Sequence, residues 1–402
     1  MEWNVETLSL LSIPLISAFV GWLTNYLAVK MMFFPIEFVG IKPFLGWQGL
    51  IPAKRRQMAE IEVELVLGKL LSVEELAQRI DAKELTLAIE RRLKQVIRKV
   101  VNEVMTESAP TLWAALPVQG KNLVYQRVEA DIPHVVSKLV DDFQYNVSEI
   151  LDIKELVVEQ LVNSPELINE IFLTAGSKEF PFIVKSGFYF GFIFGLPTML
   201  LWYFFQAWWI LPLGGLLVGY ATNWIAIKII FEPKRPRKFG PITVQGMFLK
   251  RQNEVSEVYA SIIEEKLITA QNITRIILKG SGSAQLLELI ELHVNDAIER
   301  YVAVAQPYFA LGVGSDNYHN MKALAVKKIF DNSEKYLLYA YDYANDALQV
   351  GHDLCERMQA LSAEEFEGVL RPAYKQDEWK LIVTGAVLGM LAGIGQLYLV
   401  FV

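Results

Sequence analysis

Cysteine is all but absent. Cys355 is the only one among 402 residues, so no intrachain disulfide can form. His352 lies three residues before it, and one His-Cys pair falls short of the four ligands of a structural zinc site, so no metal is expected. An excess of basic charge is missing too. The chain has 38 Lys and Arg against 45 Asp and Glu, a net charge of −7, which speaks against nucleic acid as a partner. Nucleotide-binding glycine loops, hydrolase elbows, metal-protease helices and paired carboxylates within apolar runs are all lacking. No catalytic residue, no cofactor and no enzymatic activity are therefore expected. Strand signals are sparse, with short extended pieces expected only near 38–51 and 239–248. The expected class is all-α.

What the chain has is apolar length. Hydrophobic residues make up 53%, the mean hydropathy is +0.28, and the excess is concentrated at 7–34, 187–231 and 381–402. About 20 apolar residues in a helix cross the hydrocarbon core. Four transmembrane helices are expected, at 8–31, 187–205, 208–231 and 381–401. The first is not read as a signal peptide, because MEWNVE carries no positive charge and no small-residue cleavage site follows. Charged, helix-patterned sequence fills the rest, giving helical domains at 35–186 and 232–380. Within it, Ser72 and Glu75 form a capping box. Leu85, Ile89, Leu93, Ile97 and Val100 recur at helical spacing, and Pro110 and Pro307 interrupt the pattern.

Basic residues set the expected orientation. Lys42, Lys54, Arg55 and Arg56 follow the first span; Lys234, Arg235, Arg237 and Lys238 follow the third; Arg371, Lys375 and Lys380 precede the fourth. No Lys or Arg lies before the first span, between the second and third, or after the fourth. Both termini are expected outside and both helical domains in the cytoplasm. Trp202, Tyr203, Trp208 and Trp209 would form an outer aromatic belt, with Trp379 at the inner interface.

The sequence repeats itself. GWLTNYLAVKMMFFP begins at Gly21 and GYATNWIAIKIIFEP at Gly219, 198 residues on; Gly187, Gly191 and Gly195 recur as Gly385, Gly389 and Gly393 at the same offset. Two unrelated motifs sharing one period predict a tandem duplication, with repeats 1–206 and 207–402. With the orientation above, the repeats are parallel.

The glycine ladders predict close helix contact, since small residues let backbones approach. In the Thr-Asn helix, Gly21, Thr24, Asn25 and Ala28 fall on one face, and Lys30 lies on the opposite side. Two readings follow. In one, Asn25 and Asn223 make interhelical hydrogen bonds while Lys30 and Lys228 reach for phosphates at the inner surface. In the other, Thr24, Asn25 and Lys30 with Thr222, Asn223 and Lys228 line a polar or headgroup site, the two asparagines facing each other.

The stretch GWLTNYLAVKMMFFP…GLIPAKRRQMAEIEVELVLGKLLSVEEL resembles the opening of bacterial membrane-protein family 445 of the domains of unknown function, and EEFEGVLRPAYKQDEWKLIVTGAVLG resembles its end. One departure is Met247-Phe248-Leu249 where the first copy has Leu50-Ile51-Pro52. The resemblance implies a multi-pass protein of the bacterial inner membrane and carries no substrate or reaction with it. The leading expectation is a non-enzymatic scaffold or lipid-interacting protein. Its partners would be membrane lipids, with a second copy or another membrane protein beside it. The alternative is a transporter or channel subunit with its polar site at the Thr-Asn motifs.

Overall fold

The computed structural model describes residues 5–41, 45–240, 242–312, 315–371, 375 and 378–401. Helix dominates, and among the described residues strands are confined to two short antiparallel hairpins. Among the described residues, four helices are long and apolar enough to cross a membrane: Leu8–Phe33, Glu179–Phe205, Ile210–Phe231 and Glu378–Phe401. They match the four expected spans, with the second extended by two further turns at its start and the third beginning at Ile210 rather than at 208. In lipid a helix is the natural solution, because it satisfies its backbone polar groups within one segment. Gln206 turns the second helix into the third in a left-handed conformation (φ 46°), its N–H donating to the Trp202 carbonyl at 3.0 Å.

After the first and third of these helices the chain makes the same local structure. Phe34-Pro35 and Glu232-Pro233 are cis. A hairpin then pairs Val39–Ile41 with Leu45–Trp47, and another pairs Arg237–Phe239 with Ile242–Val244. Both lie where extended pieces were expected. Short helices, Leu50–Ala53 and Met247–Lys250, follow each hairpin.

The compact units do not follow the two halves of the sequence. One unit comprises residues 1–66, 158–262 and 354–402, and holds the four apolar helices; the other comprises 67–157 and 263–353. Each unit therefore draws on both halves. The second unit is a helical assembly with two apolar clusters. Ile150, Leu278, Leu286, Ile290 and Val326 form one, and Val100, Val104, Met321 and Ala325 the other.

Local expectations in this unit hold in part. Ser72 caps Val73–Gln78, its hydroxyl accepting from the Glu75 N–H at 3.3 Å and donating to Glu74. The periodic segment is helical over Ala82–Ser108, with Ile89 and Val100 buried. Pro110 opens a new helix, Pro110–Ala115. Pro307 interrupts nothing, because Ser283–Gly312 continues through it. A proline removes one backbone bond from a long helix, and the flanking turns carry the rest.

Candidate functional site

The apolar unit is built from two helix pairs, the first helix against the second and the third against the fourth. Glycine makes both contacts possible. A Cβ added at Gly21 would overlap the Gly187 carbonyl oxygen, and one at Gly219 would overlap that of Gly385. Further along, a Cβ at Gly191 would overlap the Ser17 carbonyl, and one at Gly389 that of Gly215. A Cβ at Gly195 would lie 2.7 Å from the Pro14 Cα, and one at Gly393 would overlap the Leu211 carbonyl. The backbones thus touch along the ladders.

Each asparagine uses the gap that glycine leaves. Asn25 Nδ2 donates to the Ile183 carbonyl at 2.7 Å, and Asn223 Nδ2 to the Leu381 carbonyl at 2.9 Å. The acceptor is four residues before Gly187 in one pair and four before Gly385 in the other. A side chain at Gly385 would occupy the place of the Asn223 amide, and one at Gly187 would come within 2.7 Å of that of Asn25. Asn25 and Asn223 are 0% and 2% exposed. Thr24 and Thr222 are buried as well, and their hydroxyls donate to Gly21 and Gly219 at 3.2 and 3.4 Å. Each Thr-Asn pair therefore spends its donors within its own helix pair. The carbonyl oxygen of Asn25 is buried with no hydrogen-bond partner.

Lys30 and Lys228 are exposed and lie on another face. Their ammonium groups sit 5.5 Å from the Tyr26 ring centre and 4.6 Å from that of Trp224, and Lys228 is 3.5 Å from Glu232. The structure thus brings the threonines, asparagines and glycines together within each pair and sets the lysines apart.

At the opposite end of the helices, Ile13, Trp202, Ile210, Leu211 and Leu397 form an apolar cluster. Trp202 is buried there with its ring centre 4.7 Å from Phe401, so it leaves the expected outer belt. The reason is helical phase: Trp202 falls seven residues after Gly195, on the packed face. Tyr203, Trp208 and Trp209 are exposed, as is Trp379.

Charges gather where the second and fourth helices begin. Arg251 binds Glu179 through one terminal nitrogen at 2.6 and 2.8 Å and Glu254 through its other two nitrogens at 2.9 and 3.0 Å. Lys178 reaches Glu254 at 2.6 Å. The hydrogen bonds from Arg251 and then Lys178 hold the Glu254 carboxyl well below its ordinary range, at about 2. A second cluster joins Glu367 to Lys234 at 2.7 Å and to Arg371, which also reaches Glu378 at 3.1 Å. Burial pushes the Glu367 carboxyl up, but its bonds to Lys234 and Arg371 outweigh that and hold it low. The sequence marks Lys234 and Arg371 only as basic flanks and pairs none of these residues. Charge pairs distant in the chain leave no periodic trace, although Asn169 and Glu367 do stand at the 198-residue offset.

A mostly apolar cavity of about 50 Å³ borders both Asn contacts, with Ile183 and Leu381 in its wall beside Met32, Ile230, Glu179 and Glu378. A water occupies about 30 Å³ of liquid, so this is room for one or two waters. Among the described residues, no group of three or more His, Cys, Asp or Glu is placed to hold a metal.

Comparison with known proteins finds bacterial relatives. They are UPF0754 membrane proteins. The chain is 19% identical over 411 residues to one from Trichodesmium erythraeum, a match covering 95% of this chain and 96% of that protein. It is 25% identical over 152 residues to one from Bacillus cytotoxicus, covering 36% of this chain and 39% of the relative. A third, from Microcystis aeruginosa, is 28% identical over 153 residues, 36% of this chain and 35% of its own length. The chain thus matches well under two thirds of the Bacillus and Microcystis proteins and nearly all of the Trichodesmium protein. No family model matches, and no solved structure matches.

Proposed function

We propose that this is a multi-pass protein of the bacterial inner membrane with a non-enzymatic scaffold or lipid-interacting role. One observation carries the reading: the apolar unit is inside-out. Gly, Thr and Asn fill the helix contacts, while Leu15, Phe19, Ile193, Leu200, Leu217 and Leu391 are each at least half exposed. Water would penalise that arrangement, whereas lipid tails favour it. The membrane-protein names of the relatives agree with it.

The proposal includes the duplication. The paired glycine overlaps and Asn bonds at one offset, and hairpins that match to within one residue of it, support two copies of an ancestral unit, and the resemblance to family 445 belongs to the same proposal. The basic flanks support both termini outside and the charged helical segments in the cytoplasm. With Cys355 replaced by Ser, a membrane-impermeant thiol reagent applied from outside should label Gln206→Cys and spare Gln119→Cys, both exposed positions. Labelling of Gln119→Cys alone would overturn the orientation. For the role itself, native mass spectrometry of the purified protein should show phospholipid retained through detergent exchange. Its complete loss would count against lipid interaction.

The transport alternative draws on the unpartnered Asn25 carbonyl oxygen, a buried polar atom next to a small cavity. Against it, no polar group from the other helix pair bonds either asparagine among the described hydrogen bonds, and the lysines point elsewhere.

A further inference from the structure

Each hairpin is strapped to the end of the apolar helix before it. The Pro35 carbonyl accepts from the Gly49 N–H at 2.8 Å, and that of Pro233 from the Gly246 N–H at 3.0 Å. Gln48 Nε2 donates to the Ile36 carbonyl at 2.7 Å, and Gln245 to that of Lys234 at 3.4 Å. A Cβ at Gly49 would lie 2.6 Å from the Phe33 carbonyl carbon, and one at Gly246 2.7 Å from the Ile230 carbonyl oxygen. The returning chain therefore lies directly on the helix end. Strands of three residues reach only about 10 Å, so neither pair of strands can leave the neighbourhood of the bilayer face.

Their side chains suit that place. Val39 and Ile41 alternate onto one face of the first hairpin and are 62% and 73% exposed. The other face is taken by Phe38, whose ring a Cβ at Gly46 would overlap. Across the strands Val39 is opposite Trp47, and at the corresponding place in the second hairpin Arg237 is opposite Val244. Arg237 and Lys238 are exposed. Aliphatic, Trp and Arg side chains together match a headgroup layer.

We propose that both hairpins insert into the headgroup layer at the end of the first and third helices, and that Arg237 and Lys238 give the second hairpin a preference for anionic phospholipid. The inference rests on the membrane-spanning reading above. It names the lipid class and the surface that contacts it. Two features commit it to lipid: continuity with helices whose exposed faces already require lipid, and positive charge facing an anionic leaflet.

The test uses the full chain with Cys355→Ser, carrying an environment-sensitive fluorophore at Ile41→Cys, Val244→Cys, Ile193→Cys or Gln119→Cys. Each variant is reconstituted in nanodiscs of phosphatidylcholine with or without phosphatidylglycerol, and kept only if it melts like its parent. Doxyl-labelled lipid should quench positions 41 and 244 as it does the mid-span position 193, and should leave position 119 bright. Phosphatidylglycerol should increase quenching at 244, and Arg237→Gln with Lys238→Gln should remove that increase, at about fivefold in lipid partitioning per charge. Quenching at 193 with none at 41 and 244 would overturn the hairpin inference and leave the spans standing. Quenching at 244 that ignores both lipid charge and the double substitution would overturn the anionic preference. Failure to quench at 193 would overturn the spanning reading, and the inference with it.

Discussion

Beside the first helix pair, in the helix Pro165–Ala175, Asn169 is 3% exposed and donates its amide to the Phe33 carbonyl at 2.7 Å. Beside the second pair, the residue 198 positions on is Glu367, 5% exposed and ion-paired with Lys234 and Arg371. Arg371 lies 4.9 Å from the ring centre of Phe231, where the third helix ends. Both arrangements put a donor at the C-terminal end of an apolar helix, where the last carbonyls lack partners and the dipole favours positive charge. One uses a neutral amide and the other a cluster of charges. About 12 Å away along the same helices, eight residues at about 1.5 Å each, the Gly-Asn contacts are nearly identical between the pairs. The difference lies in the surroundings. Deep in the helix pair only a backbone fits, so glycine and asparagine have few substitutes. At the boundary side chains have room, and a buried amide or a buried cluster of charges can each pack against a helix end.

The first way to break this comparison is to fill a glycine contact. Replacing Gly389 with Ile drives a branched side chain into the Gly215 backbone, whose carbonyl no rotamer change can move. Overpacking costs about 1–3 kcal/mol and occasionally more, and a rigid backbone neighbour places this site at or above the upper end. Gly191→Ile, facing Ser17 and Ala18, should cost as much. Yield of folded protein and melting temperature in detergent check it. Tolerance of one substitution but not the other would mean that the two pairs are not held by the same contact.

Next comes the boundary. Arg371→Met leaves Glu367 buried with Lys234 as its remaining partner, and strands Glu378 as well. Removing one member of a buried ion pair costs about 3–5 kcal/mol; the surviving lysine puts this case near about 3. Glu367→Asn, which writes the first pair's residue into the second, should cost less, since Arg371 keeps Glu378. Denaturant or thermal unfolding would rank them, and the reverse order would show that Glu367 matters to the fold beyond its charges.

Much of the apolar unit is legible in sequence. Four spans appear because lipid demands long uncharged helices, and the Gly21, Asn25 and Gly187 contacts appear because they recur 198 residues on. The face shared by Gly21, Thr24, Asn25 and Ala28 follows from helical phase alone, and all four are buried. The acceptors are another matter. Ile183 and Leu381 serve through their carbonyls, and a backbone acceptor leaves no mark in a side-chain pattern. Trp202, by contrast, is legible through helical phase, seven residues after Gly195 on the packed face, and the count of aromatics at the span end hides it. The grouping of 67–157 with 263–353 also escapes periodicity, since each helix there is amphipathic whichever helix covers it.

A finer test sits at the asparagines. Asn25→Ala and Asn223→Ala should each cost about 0.6–2 kcal/mol, the range for interhelical hydrogen bonds in membranes, and by similar amounts because the bonds match at 2.7 and 2.9 Å. Lipid co-purification should persist in both. Its loss at parental stability would promote the polar-site reading over packing.

The smallest effect expected is pH-dependent and belongs to the first pair's charged boundary. Glu254 is held at about 2 by Arg251 and Lys178, against an ordinary carboxyl value of 4.5. A group whose folded value is depressed adds stability above its unfolded value and loses it as pH falls toward the folded one. The contribution should therefore be complete at neutral pH and drain away between about 4.5 and about 2. Glu254 is 44% exposed, so solvent and salt screen it and the effect is modest. Melting temperatures of the parent and Glu254→Gln should differ at pH 7 and converge as the pH drops through that window, with the gap narrowing in high salt. A gap that stays constant down to pH 2 would mean that Glu254 acts through packing, and that the charges on Arg251 are already satisfied by Glu179 alone.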